Sequence, residues 1–327
     1  MFKKLIFAIT VFALAQICAN AEPLPAKNIV FLANNHESMV QNAISNGARE
    51  AFKDLGARYN TEFAIKNITP LTADSTGIEN QADILSSALQ SSENIGAIVI
   101  PNLSKNEKLS EAINALAEKE KPVALISTDI PESKRIFFVE SDTSAIVKTI
   151  LDEINPHLRE NNFKLLVIYS GKEDIFNAPE PKPSMVSQKA LLDAFKGKPY
   201  VQYASSVYFS EFAKKFQQEI EDLDNYGIIF LSASPLINSV PIKRDSDRDF
   251  IIVMSLRPHL GQYLRNKEIS MCIGGDYFGY GYLSAIAVAE KYFEDKNPPK
   301  DKRILAPIKY KVYQTSDFDK NWNALFK

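Results

Sequence analysis

Short apolar runs rich in β-branched residues alternate with stretches of helical spacing from residue 28 almost to the end of the chain. Residues 28–33 form the first run, fit for a strand buried on both faces. A polar loop follows at 34–38, then helical spacing over 39–55, which Gly56 closes as a C-terminal cap would. The order repeats with strand 59–65, helix 78–89, strand 97–100, helix 109–117 and strand 122–127. A second series begins after 137–139, with helix 145–154, strand 165–169, helix 186–195, strand 201–205 and helix 209–222. Strands 228–232 and 250–254 and helix 259–264 continue it. Strand 270–273, helix 281–292 and strand 308–313 are too few for a third unit and are expected to complete the two sheets. Alternation of this kind demands parallel sheets flanked by helices, with right-handed crossovers. The expected fold class is therefore α/β, with two doubly wound parallel-sheet lobes.

Composition agrees with two globular lobes. The chain is 45% hydrophobic and 24% charged, and at 327 residues one core usually splits into two. Lys3 and Lys4, the apolar stretch 5–17 and Ala19-Asn20-Ala21 read as a cleaved export signal, residues 1–21, too short to span a bilayer. Ile17 is too bulky for Cys18 to be a lipoprotein cysteine. A periplasmic location is expected. The formal charge is −2, and removing Lys3 and Lys4 makes it −4. That balance, without a basic stripe, argues against nucleic acid. Cys272 is then the single cysteine left, inside an apolar run, and reads as a buried small hydrophobe.

Ligands of open α/β sheets bind outside the carboxyl ends of the strands, so the loops there hold the candidate site. Asn34, Asn35, His36 and Glu37 follow the first strand, either as ligand contacts or as a polar turn and helix cap. Asn102 follows the strand ending near residue 100, and Asp129 the strand ending near 127. Phe176 lies in a proline-rich loop that suits a stiff cleft wall, a partner surface or an idle insertion. Arg257 offers a planar fork for a carboxylate or phosphate, or else an ion pair. Asp276 and Tyr277 lie beside Gly274-Gly275, where rings form a ligand floor or pack a hinge. His157 and His259 read as structural or surface residues. No nucleophile elbow, phosphate loop or paired His-Glu metal motif is present, so a binder without cofactor or metal is expected rather than an enzyme.

Four segments in order carry a resemblance: 46–56 (NGAREAFKDLG), 95–101 (IGAIVIP), 122–131 (PVALISTDIP) with Ser133-Lys134-Arg135 and Ser141-Asp142, and 279–284 (GYGYLS). The chain resembles the type I periplasmic binding proteins, in particular the ribose-binding-like group. The resemblance implies two lobes joined by a three-segment hinge, with crossings near 137–142, 273–277 and 299–307. It places 22–138 plus 274–298 in the N-terminal lobe and 139–273 plus 299–327 in the C-terminal lobe. Arg135, close to a crossing, is given a hinge role. The implied action is capture of a small ligand between the lobes by a monomer that then presents it to the permease of an ABC importer. The alternatives are docking on a sensor kinase or chemoreceptor, or an enzyme on the same scaffold. Sugar-binding members usually carry an aspartate where Ser127 stands, an arginine near Met185, an asparagine near Ala233, an aspartate near Ser255 and a glycine near Ile146. This chain lacks all five, which weakens a sugar ligand, because each buried hydroxyl left unpaired costs about 1–3 kcal/mol.

Overall fold

Strands buried along their whole length lie at the centre of each sheet, and strands with alternating exposure lie at the edge. Residues 26–33, 38–70, 75–159, 163–169, 186–205, 214, 218, 226–231 and 250–311 are described by a computed structural model. The first sheet contains β1 (Ala26–Leu32), β2 (Glu62–Ile68), β3 (Asn94–Val99), β4 (Val123–Ile126), β5 (Phe137–Ser141) and β11 (Lys302–Leu305), in the order β11-β5-β4-β3-β1-β2. Its pairings are all parallel. Every residue of β3 and β4 is buried, as a strand covered by helices on both faces requires, whereas β2 at the edge alternates.

The second sheet contains β6 (Lys164–Tyr169), β7 (Val201–Ser205), β8 (Tyr226–Phe230), β9 (Phe250–Val253), β10 (Met271–Gly274) and β12 (Ile308–Lys311), in the order β12-β10-β9-β8-β6-β7. Only β12 runs antiparallel to its neighbour.

Seven helices fall among the described residues: α1 (Ser38–Tyr59), α2 (Ser75–Ala88), α3 (Glu107–Ala117), α4 (Thr143–Ile154), α5 (Val186–Phe195), α6 (Leu260–Arg265) and α7 (Tyr277–Glu294). Their starts and faces follow from sequence. Asn106 caps α3 by accepting from the Leu109 amide at 3.0 Å, and Leu109, Ala112, Ile113 and Leu116 make its buried stripe. Asp142 caps α4 through the Ala145 amide at 2.9 Å, and Ile146, Ile150 and Ile154 turn inward. Although α7 lies late in the chain, it packs on α1 and the first sheet, its Val288 and Ala289 sharing a core with Ile44 and Ala48.

The contact between α1 and α7 is made at backbone distance. A Cβ on Gly281 would lie 1.8 Å from the Ile44 carbonyl oxygen, and one on Gly47 2.0 Å from that of Phe278. Two of the segments that carry the family resemblance thus meet face to face.

The structure corrects several boundaries. Gly56 does not end α1, which runs on to Tyr59. The left-handed turn falls on Asn60 (φ 48°), and the Thr61 amide closes on the Gly56 carbonyl at 3.2 Å. The second strand accordingly begins at Glu62 rather than 59, and α7 starts at Tyr277 rather than 281. Lys302–Leu305 is a strand of the first sheet, not part of the second lobe, and β5 stays in the first sheet through Ser141. The crossings are therefore 141–143, 274–277 and 305–308. The export segment and the helix expected over 209–222 lie outside the described residues, apart from 214 and 218. Among the described residues no helix is long and apolar enough to cross a membrane.

Candidate functional site

The third crossing fixes how the sheets face each other. β11 runs parallel to the first sheet, and two residues later β12 runs antiparallel to the second. A chain that leaves the first sheet at its carboxyl end enters the second against the direction of its strands. The carboxyl ends of both sheets therefore meet at the crossings. In each sheet the strand order reverses, between β1 and β3 and between β6 and β8, and such reversals open a crevice at the carboxyl ends.

Around the crossings the segments are stitched together. The Asp142 amide donates to the Leu305 carbonyl at 2.8 Å, joining the first crossing to the third. The hydroxyls of Ser141 and Tyr280 lie 2.5 Å apart, joining the first to the second. Gly275 sits against this pair, since a Cβ there would lie 2.8 Å from each oxygen. Burial pushes the Tyr280 phenol far up, so it stays a protonated hydrogen-bonding group.

The expected site residues fall into distinct settings. Asn34, Asn35, His36, Glu37 and Phe176 lie outside the described residues. Asn102 follows β3, and its backbone amide donates to the side-chain oxygen of Gln81 at 3.1 Å. The amide nitrogen of Gln81 donates to the Ile100 carbonyl at 3.0 Å, so one fully buried side chain of α2 holds both sides of Pro101. Sequence reasoning missed Gln81, although a glutamine on the helix face shared by Ala82 and Leu85 was the available signal.

Asp129 follows β4, the neighbour of β3, and is bound in a two-point ion pair by Arg135, whose Nη2 is 2.9 Å from Oδ2. The turn entering it is unusual. Ser127 has φ 62°, and the Thr128 side chain is buried with no partner for its hydroxyl. Asp276 is the N-cap of α7, accepting from the Gly279 amide at 2.8 Å. Tyr277 stands edge-on to Tyr280, with centroids 5.6 Å apart. These two therefore belong to the stitched crossings.

Arg257 is half-buried beyond the end of β9, next to β10, whose end leads to Asp276. His259 follows it, with a buried Nε2 that has no hydrogen-bond partner. Desolvation, and then the Arg257 charge, hold the imidazole below its ordinary pKa. Of the positions that carry sugar contacts in the resembled group, Ile146 lies in the second core, while Met185 and Ala233 fall outside the described residues. Cys272 is fully buried, which pushes its thiol up and away from reactivity. Among the described residues no group of three or more His, Cys, Asp or Glu could hold a metal ion.

A half-open pocket of about 670 Å³ lies elsewhere, at the amino-end side of the first sheet between Lys121, Pro122, Ile136 and Phe293. Several of its charged groups are matched locally: Lys291 pairs with Asp295 at 2.5 Å and Glu294 with Arg58 at 2.6 Å.

No protein-family model and no curated protein matches the sequence. Solved structures do. A sugar-binding protein of a sugar ABC transporter from Bacillus halodurans superposes with a TM-score of 0.65 at 12% identity, over 92% of this chain and 99% of its own. A periplasmic ribose ABC transporter protein from Conexibacter woesei gives 0.63 at 14%, over 94% and 100%. The XylFII–LytSN complex gives 0.59 at 19%, over 88% and 98%. With two wound sheets, three crossings and a likeness that spans both halves, the chain has the fold of the type I periplasmic binding proteins.

Proposed function

We propose that the protein is an exported, periplasmic solute-binding protein that captures a small polar ligand between its lobes and presents it to an ABC importer by hinge closure. One observation carries this reading: the antiparallel β12, two residues after the parallel β11, which turns the carboxyl ends of both sheets toward one crevice. Contacts from both walls of a crevice hinged at three short crossings favour a closed population over an open one. Asn102, Asp129, Arg257, Asp276 and Tyr277 are the described wall candidates, and Asn34, Asn35, His36, Glu37 and Phe176, outside the described residues, are kept as candidates from the sequence. The solved relatives named as sugar-binding proteins support a solute-binding role. The ligand itself is taken to be less hydroxyl-rich than a hexose, because the resembled sugar binders usually carry an aspartate where Ser127 stands and another near Ser255.

The likeness to XylFII in complex with LytSN supports a second reading, in which the closed form docks on a sensor kinase or chemoreceptor and nothing is transported. A thermal-shift screen of the mature protein against sugars, polyols, amino acids, nucleosides and small anions tests the binding role. A ligand selective for the native state at 100-fold above its Kd adds about 2.7 kcal/mol and raises the Tm by several degrees. No shift from any class, with the protein folded, counts against solute capture and for a protein partner.

A further inference from the structure

The turn that leaves β4 is shaped by backbone bonds and gains nothing from its own threonine hydroxyl. Ser127 is a non-glycine residue in the left-handed region, a conformation that costs about 1–3 kcal/mol and persists only where surroundings impose it. Two backbone bonds shape the turn, from the Ser127 amide to the Val139 carbonyl at 2.8 Å and from the Thr128 amide to the Ile126 carbonyl at 2.7 Å. The Thr128 hydroxyl, which would ordinarily brace such a turn, is buried without a partner. The next side chain, Asp129, is the one that is anchored, and its anchor is Arg135.

Arg135 is placed to do more than neutralise a carboxylate. Its side chain is 10% exposed and that of Asp129 20%, so the pair is shielded from water and fixed in a two-point geometry. Its guanidinium lies 5.7 Å from the centre of the Phe138 ring, on β5. Its Nη1 also reaches the Asp301 carbonyl at 3.4 Å, and that same carbonyl accepts the Phe138 amide at 2.7 Å. Asp301 immediately precedes β11, the strand that enters the third crossing. One side chain thus touches the turn at the end of β4, the strand of the first crossing and the approach to the third.

We propose that Arg135 is a positioning residue, which through Asp129 holds the left-handed turn at Ser127 and through Asp301 ties that turn to the strand feeding the third crossing. Asp129 then acts as a latch within the first lobe, and the turn it fixes is the part of the wall that faces the crevice. Displacement of the turn by an occupant is transmitted to the hinge. This inference rests on the proposed crevice, but its test needs no ligand and so fails or succeeds independently of the thermal-shift screen.

The test is amide hydrogen exchange on the mature protein and on Arg135→Ala, Arg135→Lys, Ser127→Gly and the Ser127→Gly/Arg135→Ala double variant. In Arg135→Ala, exchange at Ser127–Asp129 and at Lys302–Leu305 is expected to rise together by at least tenfold, with Leu165–Ile168 of the second sheet unchanged. Arg135→Lys, which keeps the charge but loses the fork, is expected to restore less than half of the protection. Millimolar methylguanidinium is expected to restore it in Arg135→Ala, though not once Asp129 is also changed to Ala. Because glycine relieves the left-handed strain, the effect of Arg135→Ala at 127–129 is expected to be several-fold smaller in the Ser127→Gly background. A rise confined to residues near 135, or one equal in both sheets, overturns the proposal. So does full protection in Arg135→Lys, which would make charge alone sufficient.

Discussion

The two lobes are wound in the same strand order, yet they use glycine in opposite ways. In the first lobe Gly47 and Gly281 let two helices from opposite ends of the chain touch backbone to backbone. In the second, Gly227 on β8 makes room for a ring: a Cβ there would lie 2.2 Å from the tip of Phe250. That ring packs against His157 at 4.9 Å and Phe163 at 5.9 Å. A carbonyl oxygen fixed in a helix cannot retreat, whereas a ring can tilt. The first lobe is therefore the more intolerant structure, and it is also the one whose crevice-side turns are held by Gln81 and Arg135.

The sharpest way to break this contrast is Gly281→Ala. The new methyl would overlap the Ile44 carbonyl at 1.8 Å, and relief requires α7 to move off α1. The expected loss is at least about 3 kcal/mol, above the usual range for overpacking. Urea unfolding followed by hydrogen exchange would show protection lost at β1, β3 and β4 first. Equal loss in β6 and β8 would show that the lobes unfold as one cooperative unit and that the contrast is only local.

Gly227→Ala is the matching change in the second lobe, with an expected loss of about 1–2 kcal/mol as Phe250 tilts within its aromatic cluster. The same unfolding experiment ranks the two variants. If Gly227→Ala proves the costlier, the ring is locked as firmly as a backbone, and the reasoning from mobility fails.

Much of this contrast could not be read along the sequence. The central strands were legible because β3, β4, β8 and β9 are wholly buried, and burial on both faces leaves uninterrupted apolar runs. The edge strand Lys302–Leu305 was not, since Lys302 and Arg303 face solvent or partners and break the apolar pattern. Its Lys302 instead pairs with Glu140 at 2.7 Å on β5, a cross-strand contact visible only once the strands are placed. Gly56 misled because a glycine near a helix end is a strong stop signal, and only the geometry at Asn60 overrides it.

At the site, the positions at strand ends were legible and their roles were not. Asp276 also caps α7 through the Gly279 amide, a second task that the spacing of three residues could have suggested. Asp129 needed a partner six residues away, across a turn whose left-handed residue is a serine.

Acidity offers the smallest effect and separates the lobes by charge. On the crevice side of the first lobe Asp129 is tied to Arg135, while beyond β9 of the second His259 stands by Arg257 with its pKa lowered. A lowered folded-state pKa means that the folded protein prefers the neutral ring. Above the ordinary value of 6.5 both states are neutral, and the stabilising preference is fully present. As pH falls below 6.5 the unfolded chain takes the proton first, and stability drains away until the folded form also protonates. His259→Gln removes that slope and leaves His36 and His157 as they were. Urea midpoints from pH 7.5 to 5 should therefore fall more steeply for the wild type than for the variant, by a few tenths molar at most. Parallel lines would place His259 in a wetter setting than its buried Nε2 indicates.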